Sequence, residues 1–265
     1  MIRLVISNQR GGVAKTTTAA TIGRALADRG MKTLLIDTDS QGSMSAILGL
    51  KPQYHLYDFL IKQIKLEECL VPAGPNINVL CSDRKTTEAE DVITGQTLRE
   101  ITFEKLFGEY ERGYDAVLID VAPSITLFQT CAMVYARQVL IPVGMETLSV
   151  QGASASIQAA ESLNTFFKRE PAIRAIGILP VMVDRRMQMT DAVMAALTDM
   201  GAKKDVAILP SIRIDQTVVR AARNRQFLQD FDTKSKALED YNRAVDELLI
   251  VLGQQKDDVR NAQTA

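Results

Sequence analysis

The stretch NQRGGVAKTT at residues 8–17 follows a short apolar run, Ile2–Ile6, and precedes an alanine-rich segment with helical spacing. A strand, a glycine-containing turn, a Lys-Thr pair and a helix in this order form a phosphate-binding arrangement, because backbone N–H groups and the helix dipole converge on the anion. In this arrangement Lys15 contacts the β- and γ-phosphates, and the Thr16 hydroxyl coordinates Mg²⁺. The stretch therefore predicts a nucleotide site, and a plain Gly-Gly turn is the alternative.

The composition fits one large α/β domain. The chain has 265 residues, 46% of them hydrophobic, which is enough for a sizeable buried core. Its net charge of −1 means that any contact with nucleic acid comes from a local basic patch. The cysteines form no C-x-x-C pair, which predicts buried, reduced thiols, and the single His55 excludes a multi-histidine metal site. Nothing resembles a signal peptide or a bilayer-spanning run, so we expect a cytoplasmic protein.

Apolar runs alternate with helical patterns along most of the chain, which indicates βα units around a mostly parallel sheet flanked by helices. Besides Ile2–Ile6, the predicted strands are 33–36, 78–81, 116–119, Gln138–Val143, 175–181 and 206–209. The last predicted helix covers 234–252, and its inward-facing residues are Ala237, Tyr241, Val245, Leu248 and Leu252. We therefore predict one domain at residues 1–253 and a polar, disordered tail at residues 254–265.

Residues 10–16, RGGVAKT, resemble the deviant P-loop K-G-G-x-G-K-[TS] of the ParA/MinD family of cargo-positioning ATPases. The resemblance implies a three-layer α/β P-loop NTPase fold and a site for ATP and Mg²⁺. The residues that it places around the phosphates are Gly11, Gly12, Val13, Ala14, Lys15, Thr16 and Thr17.

Two positions of this loop depart from the family pattern. Arg10 stands where the family has a signature lysine that crosses the dimer interface to the partner's phosphates. Arginine keeps the charge and offers bidentate contacts, but it is longer and bulkier. Ala14 replaces the glycine before Lys15, and together with Gln9 it also breaks the strict G-x-x-x-x-G-K-[ST] pattern. A positive φ at Ala14 costs about 1 kcal/mol. The resemblance implies catalytic roles for Lys15 and, in trans, for Arg10.

Carboxylates follow two of the predicted strands. Asp37 and Asp39 lie in LLIDTDSQGS, where ligand sites of open parallel sheets form, with a solvated turn as the alternative. The segment resembles the family's D-x-D-P-Q-G, with Ser40 in place of proline. The resemblance implies that Asp37 positions or activates the attacking water and that Asp39 contributes near the metal or to a switch contact. Asp120 ends YDAVLIDVAPS, which looks like a Walker B strand and switch loop. The implied metal-site residues are Thr16, Asp37 and Asp120.

Three further residues match positions at which the family contacts adenine. Met182 and Asp184 follow the 175–181 strand, and Pro210 follows the 206–209 strand. A packed methionine and a turn proline explain the same residues equally well. The residues alone do not decide between ATP and GTP, and the family resemblance favours ATP.

Basic residues cluster in three places late in the chain: Arg185-Arg186, Lys203-Lys204, and the group Arg213, Arg220, Arg223 and Arg225. If 217–227 is a helix, Arg220 and Arg223 share a face. Such clusters are usually solvated surfaces. Members of the ParA/MinD family that resemble this chain bind DNA without sequence preference through C-terminal basic residues. The predicted DNA contacts are therefore Arg185, Arg186, Arg213, Arg220, Arg223 and Arg225, and they favour duplex backbone because few aromatics flank them.

The resemblance implies an ATPase that forms a homodimer around ATP, binds double-stranded nucleoid DNA, and positions a plasmid, a chromosome or an assembly such as carboxysomes. A ParB-like or other adaptor would stimulate slow ATP hydrolysis. The first alternative is a MinD-like membrane-associated regulator of cell division. The C-terminal GQQKDDVRNAQTA lacks the apolar stripe for stable membrane association. A redox or amidoligase relative is a second alternative, and no second cysteine suits an iron–sulfur cluster.

Overall fold

The computed structural model describes residues 1–168 and 170–264, with the side chains of Glu111 and of residues 255–264 excepted. An eight-stranded sheet lies at its centre. The strands are β1 Ile2–Ile6, β2 Thr33–Asp37, β3 Leu70–Gly74, β4 Ile77–Leu80, β5 Ala116–Asp120, β6 Gln138–Val143, β7 Arg174–Pro180 and β8 Ala207–Ile208. Every predicted strand is present, with bounds within one residue of those read from the sequence.

The sheet order is β3-β4-β2-β5-β1-β6-β7-β8. All neighbours pair in parallel except β3 and β4, which are antiparallel. The carboxyl ends of seven strands therefore meet at one edge, where ligand sites of parallel sheets form. The sequence did not reveal β3, because this edge strand is half exposed and contains Pro72, a residue that strand patterns disfavour.

Helices cover both faces of the sheet. They are α1 Lys15–Asp28, α2 Ser43–Leu48, α3 Leu56–Leu60, α4 Leu66–Cys69, α5 Lys85–Thr94, α6 Thr102–Phe107, α7 Leu127–Ala136, α8 Thr147–Phe167, α9 Gln188–Lys204, α10 Gln216–Arg223, α11 Leu228–Phe231 and α12 Lys236–Thr264. One apolar cluster packs α1 and α12 on the sheet, and another packs α6, α7 and α8. This three-layer α/β architecture confirms the predicted fold class.

Two helix boundaries differ from the sequence prediction. The helix predicted at 217–227 ends at Arg223, and Arg225 beyond it has a positive φ of 59°, which a continuing helix excludes. The last helix begins at Lys236, and its five predicted inward-facing residues are all buried. It extends to Thr264. The predicted disordered tail at residues 254–265 lies largely outside the described side chains, so it stays a prediction.

The three cysteines, Cys69, Cys81 and Cys131, are buried free thiols, as the sequence predicts. Among the described residues, none of the helices is both long and apolar enough to span a membrane.

Candidate functional site

The loop between β1 and α1 presents a run of backbone N–H groups. Gly12 has a φ of 78°, and Ala14 adopts the left-handed conformation with φ 58° and ψ 30°. The strain expected at Ala14, about 1 kcal/mol, is therefore present. Within the described part of the chain, the N–H groups of residues 11–17 donate to no protein acceptor. Such a run at a helix N-terminus is a ready anion site.

Lys15 lies inside this loop rather than in solvent. Its side chain is buried, and its Nζ donates to the carbonyl oxygen of Arg10 at 3.0 Å. Burial lowers the pKa of the Lys15 ammonium, and the nearby carboxyl groups of Asp120 and Asp39 oppose that shift. Among the described residues the Arg10 carbonyl oxygen is the one hydrogen-bond acceptor of the Lys15 ammonium, which therefore has further N–H donors for an anion.

Two buried aspartates end neighbouring strands beside this loop. Asp37 and Asp120 are paired residues in the β2–β5 register, and both are fully buried. The Asp37 carboxylate accepts backbone N–H groups of Asp39 at 3.0 Å and Met44 at 3.1 Å, which fix its orientation. By contrast, neither Asp120 carboxylate oxygen has a hydrogen-bond partner of good geometry among the described residues.

Both carboxyl groups hold their protons more tightly than free aspartate does. Burial, followed by the charge of Asp120, raises the pKa of Asp37 well above its usual range. Burial likewise raises the pKa of Asp120 to about 7, while the nearby Thr16 hydroxyl and Lys15 ammonium oppose the shift. An unpartnered buried carboxylate is costly unless a cation reaches it. The pair is therefore a candidate cation site.

Arg10 is tied to the start of α8. Its backbone N–H donates to Asn8 Oδ1 at 2.9 Å, and its Nε donates to Glu146 at 3.1 Å. Asn8 is fully buried and donates to the carbonyl oxygens of Pro142 at 2.8 Å and Ser149 at 3.2 Å.

The close approach of α8 requires a glycine. A Cβ at Gly152 would lie 2.2 Å from Asn8 Oδ1 and 3.0 Å from the Arg10 nitrogen. Sequence reasoning missed Asn8, Glu146 and Gly152 as site residues, because each acts through a contact across more than a hundred residues of chain.

The predicted adenine residues lie at the same edge of the sheet. The segments after β7 and β8 run side by side, since Val183 and Arg213 form a bridge. A Cβ at Gly144 would be 3.2 Å from Met182 Cε and 3.9 Å from Val13 Cγ1, so Met182 approaches the phosphate loop. Asp184 instead accepts two hydrogen bonds from the Arg186 side chain, which hold its pKa at about 2.

Pro210 follows β8 and is partly exposed. Its part in base binding stays a prediction.

The predicted DNA-binding arginines separate into two groups. The first group is Arg185, Arg186 and Arg213, which line a cleft of about 630 Å³ together with two further basic residues, Lys236 and Arg243. We call these five residues the cleft cluster. The second group comprises Arg220, Arg223 and Arg225 at the end of α10, which we call the α10 cluster. All three side chains of the α10 cluster are exposed, and the Arg220 guanidinium stacks over Phe231.

Asp240 organises the cleft cluster. It is buried and accepts two bonds from the Arg213 side chain, each at 2.6 Å, and a further bond from Arg243. Lys236 and Arg243 were not predicted from the sequence. Their positions four residues before and three after Asp240 place them on its helix face, a spacing that a search of α12 for basic residues would have found. Lys203 and Lys204 are each paired with a carboxylate, Asp199 and Glu161.

Comparisons with known proteins agree with this geometry. A sequence model described as an AAA domain matches residues 1–173. The chromosome-partitioning ATPase Soj of Treponema pallidum (strain Nichols) is 31% identical over 78% of this chain and 82% of that protein. A structure of McdA from Cyanothece in complex with ATP superposes with a TM-score of 0.82 at 21% identity and covers 96% of both chains.

A further solved structure is cobyrinic acid a,c-diamide synthase from Mycobacterium smegmatis with bound ADP and magnesium. It is 26% identical, has a TM-score of 0.78, and covers 94% of both chains. The AAA-domain match spans more than half of the sequence, and the match to Soj covers more than two thirds of it. The chain therefore belongs to the ParA/MinD family of P-loop ATPases and is similar in sequence to its ParA/Soj partitioning members.

Proposed function

We propose that the chain is a nucleoid-associated ATPase that dimerises around ATP, binds duplex DNA without sequence preference, and positions a cargo through an adaptor that stimulates hydrolysis. The cargo is a plasmid, a chromosome or a large protein assembly such as a carboxysome. The observation that carries the proposal is the buried pair Asp37 and Asp120 beside a loop of unpaired N–H groups. Membership in the family and the Soj likeness support the partition side of the proposal.

The residues present fit Mg²⁺. The two unpartnered carboxylate oxygens of Asp120 are ligands of the type that Mg²⁺ prefers, and the Thr16 hydroxyl lies close to them. The described residues contain no cluster of three or more metal-binding side chains, so phosphate and water oxygens would complete the shell, as is usual for Mg²⁺. Bound Mg²⁺ supplies charge neutralisation for the phosphates.

The residues around the phosphates act by positioning. We assign the N–H groups of residues 11–17 and the Lys15 ammonium to the phosphate tail, where they hold the γ-phosphoryl group in place. Asp37, held by its two backbone hydrogen bonds, orients a water for attack on the γ-phosphorus. The bond between the γ-phosphorus and the ADP oxygen breaks, and ADP and phosphate leave. Met182, Asp184 and Pro210 are the proposed base contacts.

Arg10 is the proposed contact between subunits. It replaces the family's signature lysine, and its side chain is 43% exposed, so it can reach a second copy of the chain. We assign its guanidinium to the phosphates bound by the partner, where a planar, permanently charged group suits a transferring phosphoryl group.

The two basic clusters are the proposed DNA surface. Of the cleft cluster, Arg185 is exposed without a carboxylate partner in the described residues, whereas Arg186 and Arg213 are held by Asp184 and Asp240. The α10 cluster carries three exposed arginines. Phosphate contacts of this kind give affinity without sequence preference and fall with salt.

Asp37→Ala tests the hydrolytic assignment. We expect the variant to form the ATP dimer and to hydrolyse ATP at least about 100-fold more slowly, because it loses the group that orients the water. Phosphate release and sedimentation with ATP measure the two properties. Asp199→Ala, which removes an exposed carboxylate of α9, is the matched control and keeps the rate. Hydrolysis by Asp37→Ala at the ordinary rate contradicts the assignment.

Asp120→Asn tests the cost of the buried carboxyl group. A folded pKa of about 7 against the usual 3.8 means that the native state binds more protons between these values, so stability falls as pH rises through that window. We expect the nucleotide-free variant to be more stable than the unchanged chain at pH 8, by up to about 4 kcal/mol, and the difference to vanish near pH 4. Chemical denaturation at both pH values measures it, and a pH-independent difference would refute the assignment.

Replacing Arg220 and Arg223 together by alanine tests the DNA surface. We expect weaker ATP-dependent DNA binding on every duplex sequence, and a salt dependence of log K lowered by about 2, since two phosphate contacts are lost. The control replaces Lys203 and Lys204 together by alanine. This double substitution removes the same amount of positive charge, but both lysines already have carboxylate partners. Equal losses in both double variants would show that net charge, and not this surface, sets the affinity.

A further inference from the structure

Arg10 is held at three points, and a lysine could not reproduce one of them. Its N–H donates to Asn8, its carbonyl oxygen accepts the Lys15 ammonium, and its side-chain Nε donates to Glu146. Lysine has no counterpart of Nε, because its only donors are on one rotating ammonium group. The third contact is therefore particular to arginine at this position.

Glu146 is itself fixed independently of Arg10. It is the residue before α8, where its carbonyl oxygen accepts the N–H groups of Ser149 at 3.1 Å and Val150 at 3.4 Å. Its carboxylate also accepts the Ser149 hydroxyl at 3.0 Å, and Ser149 is fully buried. The hydrogen bond from Arg10, followed by that from Ser149, lowers the pKa of the Glu146 carboxyl group. Arg10 therefore bonds to a charged group whose place the start of α8 sets.

The contact engages only one edge of the guanidinium. The Glu146 carboxylate accepts the Nε–H of Arg10, and in the described residues the two terminal nitrogens of Arg10 form no hydrogen bond. Those two nitrogens are the ones that bind phosphate in a bidentate manner.

The ion pair between Arg10 and Glu146 contributes little to the stability of the fold. Its side chains are 43% and 50% exposed, and such pairs contribute about 0–1 kcal/mol to stability. Its value therefore lies in orientation, since holding an arginine rotamer before association removes an ordering cost of about 0.5–1.5 kcal/mol.

We infer that Glu146 is the positioning residue of Arg10: it holds the guanidinium by Nε so that both terminal nitrogens face the phosphates bound by a second copy of the chain. The inference rests on the proposed function of Arg10. It adds that the replacement of lysine by arginine is matched by a carboxylate on the residue before α8, and that the two residues work as one unit.

Glu146→Gln, Arg10→Lys and the double variant form the test. We expect Glu146→Gln to weaken the dimer formed with a non-hydrolysable ATP analogue by about 3- to 10-fold, because the Arg10 side chain must then be ordered when the two subunits associate. Sedimentation measures the dimer, and ATP affinity of the monomer stays unchanged. In the Arg10→Lys background the same substitution at Glu146 has no effect, because lysine offers no Nε to hold. In nucleotide-free protein, the Nε–Hε NMR resonance of Arg10 shifts on Glu146→Gln.

Glu161→Gln is the matched control, since Glu161 lies on α8, which Glu146 precedes, and forms an exposed ion pair with Lys204 at 3.0 Å. It leaves the dimer unchanged. A dimer of Glu146→Gln as tight as, or tighter than, that of the unchanged chain overturns the inference, as does an equal loss in the Arg10→Lys background. If the unchanged chain forms no dimer with the analogue, the proposed function fails first and the inference falls with it.

Discussion

The burial of two carboxyl groups side by side is the constraint on which the site depends. Asp37 and Asp120 end adjacent parallel strands, in register, at an edge where solvent does not reach them. Burial and the charge of Asp120 raise the cost of ionising Asp37, and Asp120 has no hydrogen bond of good geometry among the described residues to offset its own burial. A fold optimised for stability alone would place apolar residues there. A cation bound at the pair would offset its charge, which makes the cost of burial compatible with a stable fold.

The loop after β1 shows the same exchange of stability for binding. Ala14 occupies a left-handed conformation that glycine adopts without strain, and Lys15 is buried with its ammonium on a carbonyl oxygen. The backbone N–H groups of residues 11–17 have no protein acceptor among the described residues. The packing of α8 at Gly152 against Asn8 and Arg10 then fixes the loop from outside. Strain in the loop and rigidity around it are consistent with a site that is formed before its ligand arrives.

Local patterns in the sequence were enough for the fold class, the family and the main strands. Buried parallel strands appear as continuous apolar runs, and the phosphate loop is one uninterrupted segment, so both can be read directly. Edge strand β3 was missed because Pro72 and its half-exposed residues resemble a loop. The end of α10 was placed too late, because the positive φ of Arg225 has no signal in residue type. Predicted residue roles at the site remain proposals.

Contacts between distant parts of the chain could not be read from spacing. Glu146 and Arg10 are 136 positions apart, and Asp240 holds Arg213 from 27 positions away. These pairings depend on the order of the strands in the sheet. They also depend on the helix ends that lie together at the carboxyl edge of the sheet. They decide whether an arginine is available to a ligand or already bound to a carboxylate. In the cleft cluster, that distinction separates Arg185 from Arg186.

The most direct measurement of the account is calorimetric titration of the nucleotide-free chain with ATP, with and without Mg²⁺, beside Lys15→Ala. The account predicts binding that Mg²⁺ strengthens, and a loss of at least about 10-fold in Lys15→Ala, because one charge-assisted phosphate contact is removed. Circular dichroism checks that the variant is folded. No heat of binding in the unchanged chain, or equal affinity in the variant, would contradict the claim that the loop after β1 binds a triphosphate.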